Sequence, residues 1–359
     1  MPNNNFGYAN ARMRARRSRL YGPTDFAAMR NLQSLDELFH LMRRGLYGPD
    51  LDEALAIYSE TEAIGVAVQR FFARETRKVA GFFGDRFQPL IGLVVRRLTL
   101  DTVKVALRGQ VLGAAGEQVL HLMMPTVDLG LAELQELVRA EGPKTMLDLL
   151  ATWHLPYAAP LLVAWAEGGG TAAGERILPH LELALDVWHY ADALPVAEDF
   201  KKIGKALVST LRREVDALNI LTGMRLAGEM ASDDELAQWL IPGGRLNRAT
   251  LADRLYGHGP DVWRDAFRET PYGPPVARGF LAYDKTGRLS SVGHEMERFL
   301  LREAVNEYIR DPLGIGVAIG YLAMLRSEAI NLRAIANGLA LGAGRRLMEE
   351  ALLLAEEAS

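Results

Sequence analysis

The chain repeats itself, and the period of that repeat limits what it can fold into. Pro156-Tyr157-Ala158-Ala159-Pro160 matches Pro271-Tyr272-Gly273-Pro274-Pro275, and Leu46-Tyr47-Gly48-Pro49 is a looser third copy. The three tyrosines lie 110 and 115 residues apart. A second pattern keeps step with the first: an acidic residue, two spacers, then a polar residue. Its copies are Asp101/Lys104, Asp216/Asn219 and Glu328/Asn331, with the acids 115 and 112 residues apart. Each acid follows the preceding tyrosine by 54, 59 and 56 residues. A third echo aligns Glu117–Leu122 with Glu235–Leu240, followed by Pro125 and Pro242. At 359 residues the chain exceeds the ~250–300 that one core comfortably serves. Solenoid units run to roughly 20–50 residues, so this longer period predicts three lobes, with boundaries at 1–120, 121–235 and 236–359.

Each lobe reads as helical. Leu35, Leu38, Phe39, Leu41 and Met42 recur at three-and-four spacing, as do Leu207, Leu211, Val215, Leu218 and Leu221. Ser34 precedes Glu37 by the spacing of a capping box. Asp311-Pro312 predicts an N-cap with proline at the first helical position. Sustained period-two alternation is scarce, so the expected class is all-α. Gly168–Gly174 reads as a flexible linker.

Residues three apart on a helix share a face. The repeated acid–polar pairs therefore either fix the packing of their own lobes or present matching groups to a partner held between lobes. Arg212, Arg213 and Arg225 are the cations expected to pair with such carboxylates or to face an acidic partner.

Most catalytic and cofactor chemistries find no support. Without cysteine there is no thiol nucleophile, iron–sulfur cluster or Cys-ligated zinc. No phosphate loop or nucleophile elbow is present. Gly314–Gly320 misses the dinucleotide spacing and follows no strand. Asp233-Asp234-Glu235 lacks the third acid of a magnesium-binding Asp-Asp-x-x-Asp box and reads as an acidic helix start after Ser232. No cofactor is expected. The longest stretch free of Asp, Glu, Lys and Arg, Leu149–Ala166, contains two prolines and reads as two helix ends around a turn, not a membrane span. Residues 1–110 carry a net charge of +6 within a chain of −4. No nucleic-acid-binding pattern accompanies that excess, and Met1–Arg19 lacks the apolar region of a secretory signal.

Four stretches together resemble the C subunit of the archaeal and bacterial V/A-type rotary ATPases, called the d subunit in the eukaryotic V-type enzymes. They are Phe6–Arg14, similar to an opening Tyr-x-Asn-Ala-Arg-x-Arg; Glu214–Ile220, similar to a Glu-x-Asp-x-x-Asn-Leu helix; Ile241–Leu246, similar to a Gly-Gly-x-Leu turn; and Asp311–Gly316 leading to Glu328 and Asn331. The resemblance implies an all-helical funnel of three lobes with pseudo-threefold symmetry and no active site. It further implies a peripheral place on the cytoplasmic side of the membrane, between the central shaft, made of the D and F subunits, and the rotor ring of proteolipid subunits. Arg12, Arg14 and Arg16 are candidate ring or membrane-proximal contacts. Lys104, standing where the other copies have asparagine, departs from the pattern. The competing readings are a helical-repeat scaffold of another assembly and a magnesium-dependent all-α lyase or transferase using Asp233 and Asp234.

Overall fold

A computed structural model describes residues 6–114 and 116–355. Among the described residues there are helices and turns but no strands. Seven α-helices are labelled here in chain order: α1 (Gly7–Arg17), α2 (Gly48–Leu55), α3 (Glu60–Ala80), α4 (Gln88–Val111), α5 (Lys205–Leu226), α6 (Gly273–Thr286) and α7 (Gly316–Ala340). Leu149–Ala166 splits into the ends of two helices, Pro143–Thr152 and Ala158–Glu167. No described helix is long and apolar enough to cross a membrane.

The chain divides into two compact units, both discontinuous. The first comprises Met1–Leu181 with Glu307–Leu354, and the second Glu182–Asn306 with Ala355–Ser359. Their limits do not coincide with the repeat-based boundaries at 120/121 and 235/236. In the first unit α7 packs along α3, with α1 and α4 also against it. Sixteen of its 25 residues are buried, so its apolar surface extends around the helix and it sits in the interior of its unit. In the second unit α5 contributes Ala217, Ile220 and Met224 to a core shared with Leu251, Trp263, Phe267, Val276 and Phe299.

Local signals set most helix starts. Ser34 accepts the Glu37 N–H, while Glu37 accepts the Gln33 N–H at 2.9 Å. Ser232 likewise accepts the Glu235 N–H, making Asp233 and Asp234 the first turn of an ordinary capped helix. The expectation at Asp311-Pro312 needs correction, because α7 begins at Gly316, beyond the proline. Asp311 instead reaches forward over the turn to accept the Gly316 N–H at 2.9 Å. Gly316 has to be glycine there, since a Cβ would fall 2.5 Å from the Glu307 carbonyl. The Gly168–Gly174 stretch leads from the end of the Ala158–Glu167 helix into a 3₁₀ segment, Gly170–Arg176, interrupted at Gly174, where φ is 57° and ψ −135°.

Candidate functional site

One hydrogen-bonded arrangement recurs three times, twice through the repeated acid–polar pairs. In the second unit, Asn219 on α5 donates to the Ile241 carbonyl at 2.8 Å and accepts the Ile241 N–H at 2.7 Å. In the first unit, Asn331 on α7 donates to the Leu353 carbonyl at 2.9 Å and accepts the Leu353 N–H at 2.7 Å. Both clamps span 22 residues. A carboxamide carries a donor and an acceptor side by side. One buried side chain can therefore hold an extended stretch of backbone against a helix and leave neither backbone group unpaired.

In the first repeat the residue in this role is Thr102 on α4, not Lys104. Its hydroxyl donates to the Met124 carbonyl at 2.9 Å and accepts the Met124 N–H at 3.2 Å, again over 22 residues. The equivalent pair is thus Thr99/Thr102, two residues before the Asp101/Lys104 register expected from sequence. A hydroxyl also accepts and donates, so threonine can stand in for asparagine.

The acids three residues upstream are buried as well. Asp216 is fully buried and accepts the Arg245 N–H at 3.1 Å, the Leu246 N–H at 3.0 Å and the Tyr272 hydroxyl at 2.7 Å. Gly243 and Gly244 make this approach possible. Gly243 has a φ of 100°, and a Cβ on Gly244 would lie 2.1 Å from Asp216 Oδ1. Glu328 accepts the Tyr47 hydroxyl at 2.5 Å and the Tyr21 N–H at 2.8 Å. Burial pushes its carboxyl up to about 8, against the lowering effect of those two hydrogen bonds. Asp216 is also raised by burial, its backbone and tyrosine hydrogen bonds offsetting part of the effect.

At the first repeat the acid has moved across the contact. Thr99 occupies the helix position and donates to Thr126 Oγ1 at 2.9 Å, with Asp128 Oδ2 at 3.4 Å. Asp128 follows Thr99 by 29 residues, as Arg245 follows Asp216. Burial, then the Asp128 carboxylate, raise the Tyr157 phenol. The tyrosines share one backbone geometry, each preceding a helix with φ between −85° and −89° and ψ between −3° and −12°. All three are at most 2% exposed.

These contacts define the repeating module. Tyr272 bonds the acid that precedes it by 56 residues, so each tyrosine belongs with the long helix before it. No such helix precedes Tyr47 among the described residues, and it bonds Glu328, 281 residues further on. The third module is therefore assembled from both ends of the described chain.

Asp101, outside the repeated arrangement, has different surroundings. It pairs with Arg97 and, at 3.2 Å, with Arg326 of α7. Burial opposes its ionisation, but Arg97, Arg326 and the buried Lys104 together hold its carboxyl below the usual range. Arg212 pairs with Glu198 at 2.8 Å on the surface, Arg213 lies 3.4 Å from Glu303 and is largely buried, and Arg225 is exposed in the last turn of α5. Arg16 is turned inward to the buried Glu75 at 2.8 Å, Arg14 donates to the Pro312 carbonyl, and Arg12 stacks on Tyr8 and Phe82. Sequence reasoning overlooked Tyr21, Glu75 and Arg333. Arg333 is pulled down to about 10, chiefly by burial, and donates to the carbonyls of His121 and Leu122. Among the described residues no group of three or more His, Asp or Glu side chains could hold a metal ion.

The family model described as ATP synthase (C/AC39) subunit matches residues 9–350. The A-type ATP synthase C subunit of Methanosarcina mazei is 25% identical over 354 residues, covering 98% of this chain and 93% of its own. Its counterpart in Haloferax volcanii is 25% identical over 358 residues, covering 97% of each chain. That of Methanocaldococcus jannaschii is 21% identical over 339 residues, covering 93% and 82%. With a match that runs over residues 9–350, nearly the whole chain, the chain belongs to the ATP synthase C/AC39 subunit family.

Proposed function

We propose that this chain is a non-catalytic central-stalk subunit of a rotary V/A-type ATPase. In this reading it stands on the cytoplasmic side of the membrane and joins the shaft, formed by the D and F subunits, to the proteolipid rotor ring. It thereby links ATP hydrolysis or synthesis to ion transport. The observation that carries the reading is the family match over residues 9–350. The interior supports it in kind. Asp216, Asn219, Glu328 and Asn331 are at most 1% exposed and are engaged in internal hydrogen bonds. Such cross-links stiffen a part that transmits torque, because close-packed interiors deform little. Three copies of one module would offer three related surfaces to partners centred on one axis.

The test is reconstitution. Purified chain should be retained by an immobilised D–F pair and, separately, by detergent-solubilised ring. A complex assembled without it should hydrolyse ATP without driving ion transport. Transport that persists at full coupling in its absence would overturn the proposal.

A further inference from the structure

The N-terminal helix creates a charged, partly apolar surface that the interior does not consume. Residues 6–24 hold five arginines and no acidic residue. Ala9, Asn10 and Met13 bury one side of α1. Asn10 donates to the Gly314 carbonyl at 3.1 Å and Arg14 to the Pro312 carbonyl at 3.0 Å, fastening the helix to the turn before α7. That turn carries Leu313, 79% exposed, close behind Ile309, 68% exposed. Tyr8, 48% exposed, packs edge-on to Phe82 with the Arg12 guanidinium over both rings. Two acids beside this surface are already engaged. Glu75 is buried with Arg16 and Lys78, and Asp311 accepts the Gly316 N–H. Arg12, Arg17 and Arg19 are exposed and make no ion pair among the described residues.

We propose that this surface rests on an anionic phospholipid membrane, with Leu313 and Ile309 entering the headgroup layer and Arg12, Arg17 and Arg19 pairing with lipid phosphates. Isolated protruding aliphatic side chains beside arginines suit a soft, negatively charged interface. A stable protein partner would instead ask for a closely packed apolar patch with few charges at its centre. The inference deepens the stalk reading and rests on it only for bringing a membrane within reach.

Vesicle flotation of the purified full chain tests it. The chain should float with phosphatidylcholine vesicles containing about a third phosphatidylglycerol, should not float with phosphatidylcholine alone, and should be released by salt. At about fivefold per arginine, the triple variant R12Q/R17Q/R19Q should bind on the order of a hundredfold more weakly. Leu313→Ser should bind roughly fivefold more weakly at any salt concentration. All four side chains are exposed, so unchanged helicity by circular dichroism is expected. Flotation that ignores phosphatidylglycerol or the three arginines would overturn the assignment. So would an absence of flotation with retention by solubilised ring through those arginines, which would give the surface to acidic protein loops. In that last case the stalk reading stands. Loss of shaft and ring binding with flotation intact would remove the stalk reading alone.

Discussion

Replacing Glu328 by glutamine should flatten the pH dependence of stability. Glu328 is 1% exposed and is held by the Tyr47 hydroxyl and the Tyr21 N–H. Its carboxyl titrates near 4.5 when unfolded and about 8 when folded, because burial disfavours the charged form. The folded state therefore binds the proton more tightly. The associated stability is fully present below about pH 4.5 and is lost as pH rises towards 8. Between about pH 5 and about pH 7.5 the loss is on the order of 3 kcal/mol, at roughly 1.4 kcal/mol per pH unit over most of the window. Glutamine reproduces the protonated acid, its carbonyl facing the Tyr21 N–H and its amide donating to Tyr47. Urea unfolding followed by circular dichroism should show wild type and Glu328→Gln alike near pH 5, with the variant ahead by about that amount near pH 7.5. A chain of two units need not unfold in one step, so hydrogen exchange at the Tyr21 amide gives a local reading. At the higher pH its protection should differ by on the order of a hundredfold between the two proteins. Asp216 contributes in the same direction in both proteins and cancels in the comparison. Parallel pH profiles for the two would refute the reasoning.

Four further substitutions probe the repeated arrangement. Gly244→Ala would place a methyl group 2.1 Å from Asp216 Oδ1 and displace the Arg245 and Leu246 N–H groups, costing about 2–3 kcal/mol by denaturant titration. Asn331→Leu leaves the Leu353 N–H unpaired and its carbonyl with the Ser327 hydroxyl alone, at a cost of about 1–3 kcal/mol. Limited proteolysis should then cut the chain after α7 far sooner than in wild type. Thr102→Val removes the clamp on Met124 and should cost about 1–3 kcal/mol. Lys104→Met should leave the Met124 amide as protected from exchange as in wild type, and deprotection there would contradict the Thr99/Thr102 register.

How far the candidate site was legible in sequence can be seen at the first repeat. Asp101/Lys104 has the chemical look of Asp216/Asn219, and chemistry guided the alignment. The better guide was the proline after the clamped residue. Pro125 and Pro242 are 117 residues apart, as are Thr102 and Asn219, whereas Asp101 and Asp216 are 115 apart. The acid itself was not legible, because Asp128 comes from the loop and not the helix. A hydrogen bond needs its two ends to meet and is indifferent to which end supplies the charge. Arg16 shows the same limit in reverse. In sequence it is one of a run of surface-like arginines, but one turn of helix beyond Met13 carries it to the buried Glu75.

The helical class, the helix starts after Ser34 and Ser232, the existence of three related segments and the resemblance to a family were already written in the sequence. Those properties rest on periodicity, capping residues and recurrence, which act over a few turns or repeat at a visible interval. The tertiary structure decided which tyrosine serves which acid and where each module begins. It pairs Tyr272 with the preceding Asp216 and closes the third module by bringing Tyr47 and Tyr21 to Glu328. A contact spanning 281 residues leaves no local trace in the chain. Only the packing of α2 and α7 into the same unit brings its two ends together.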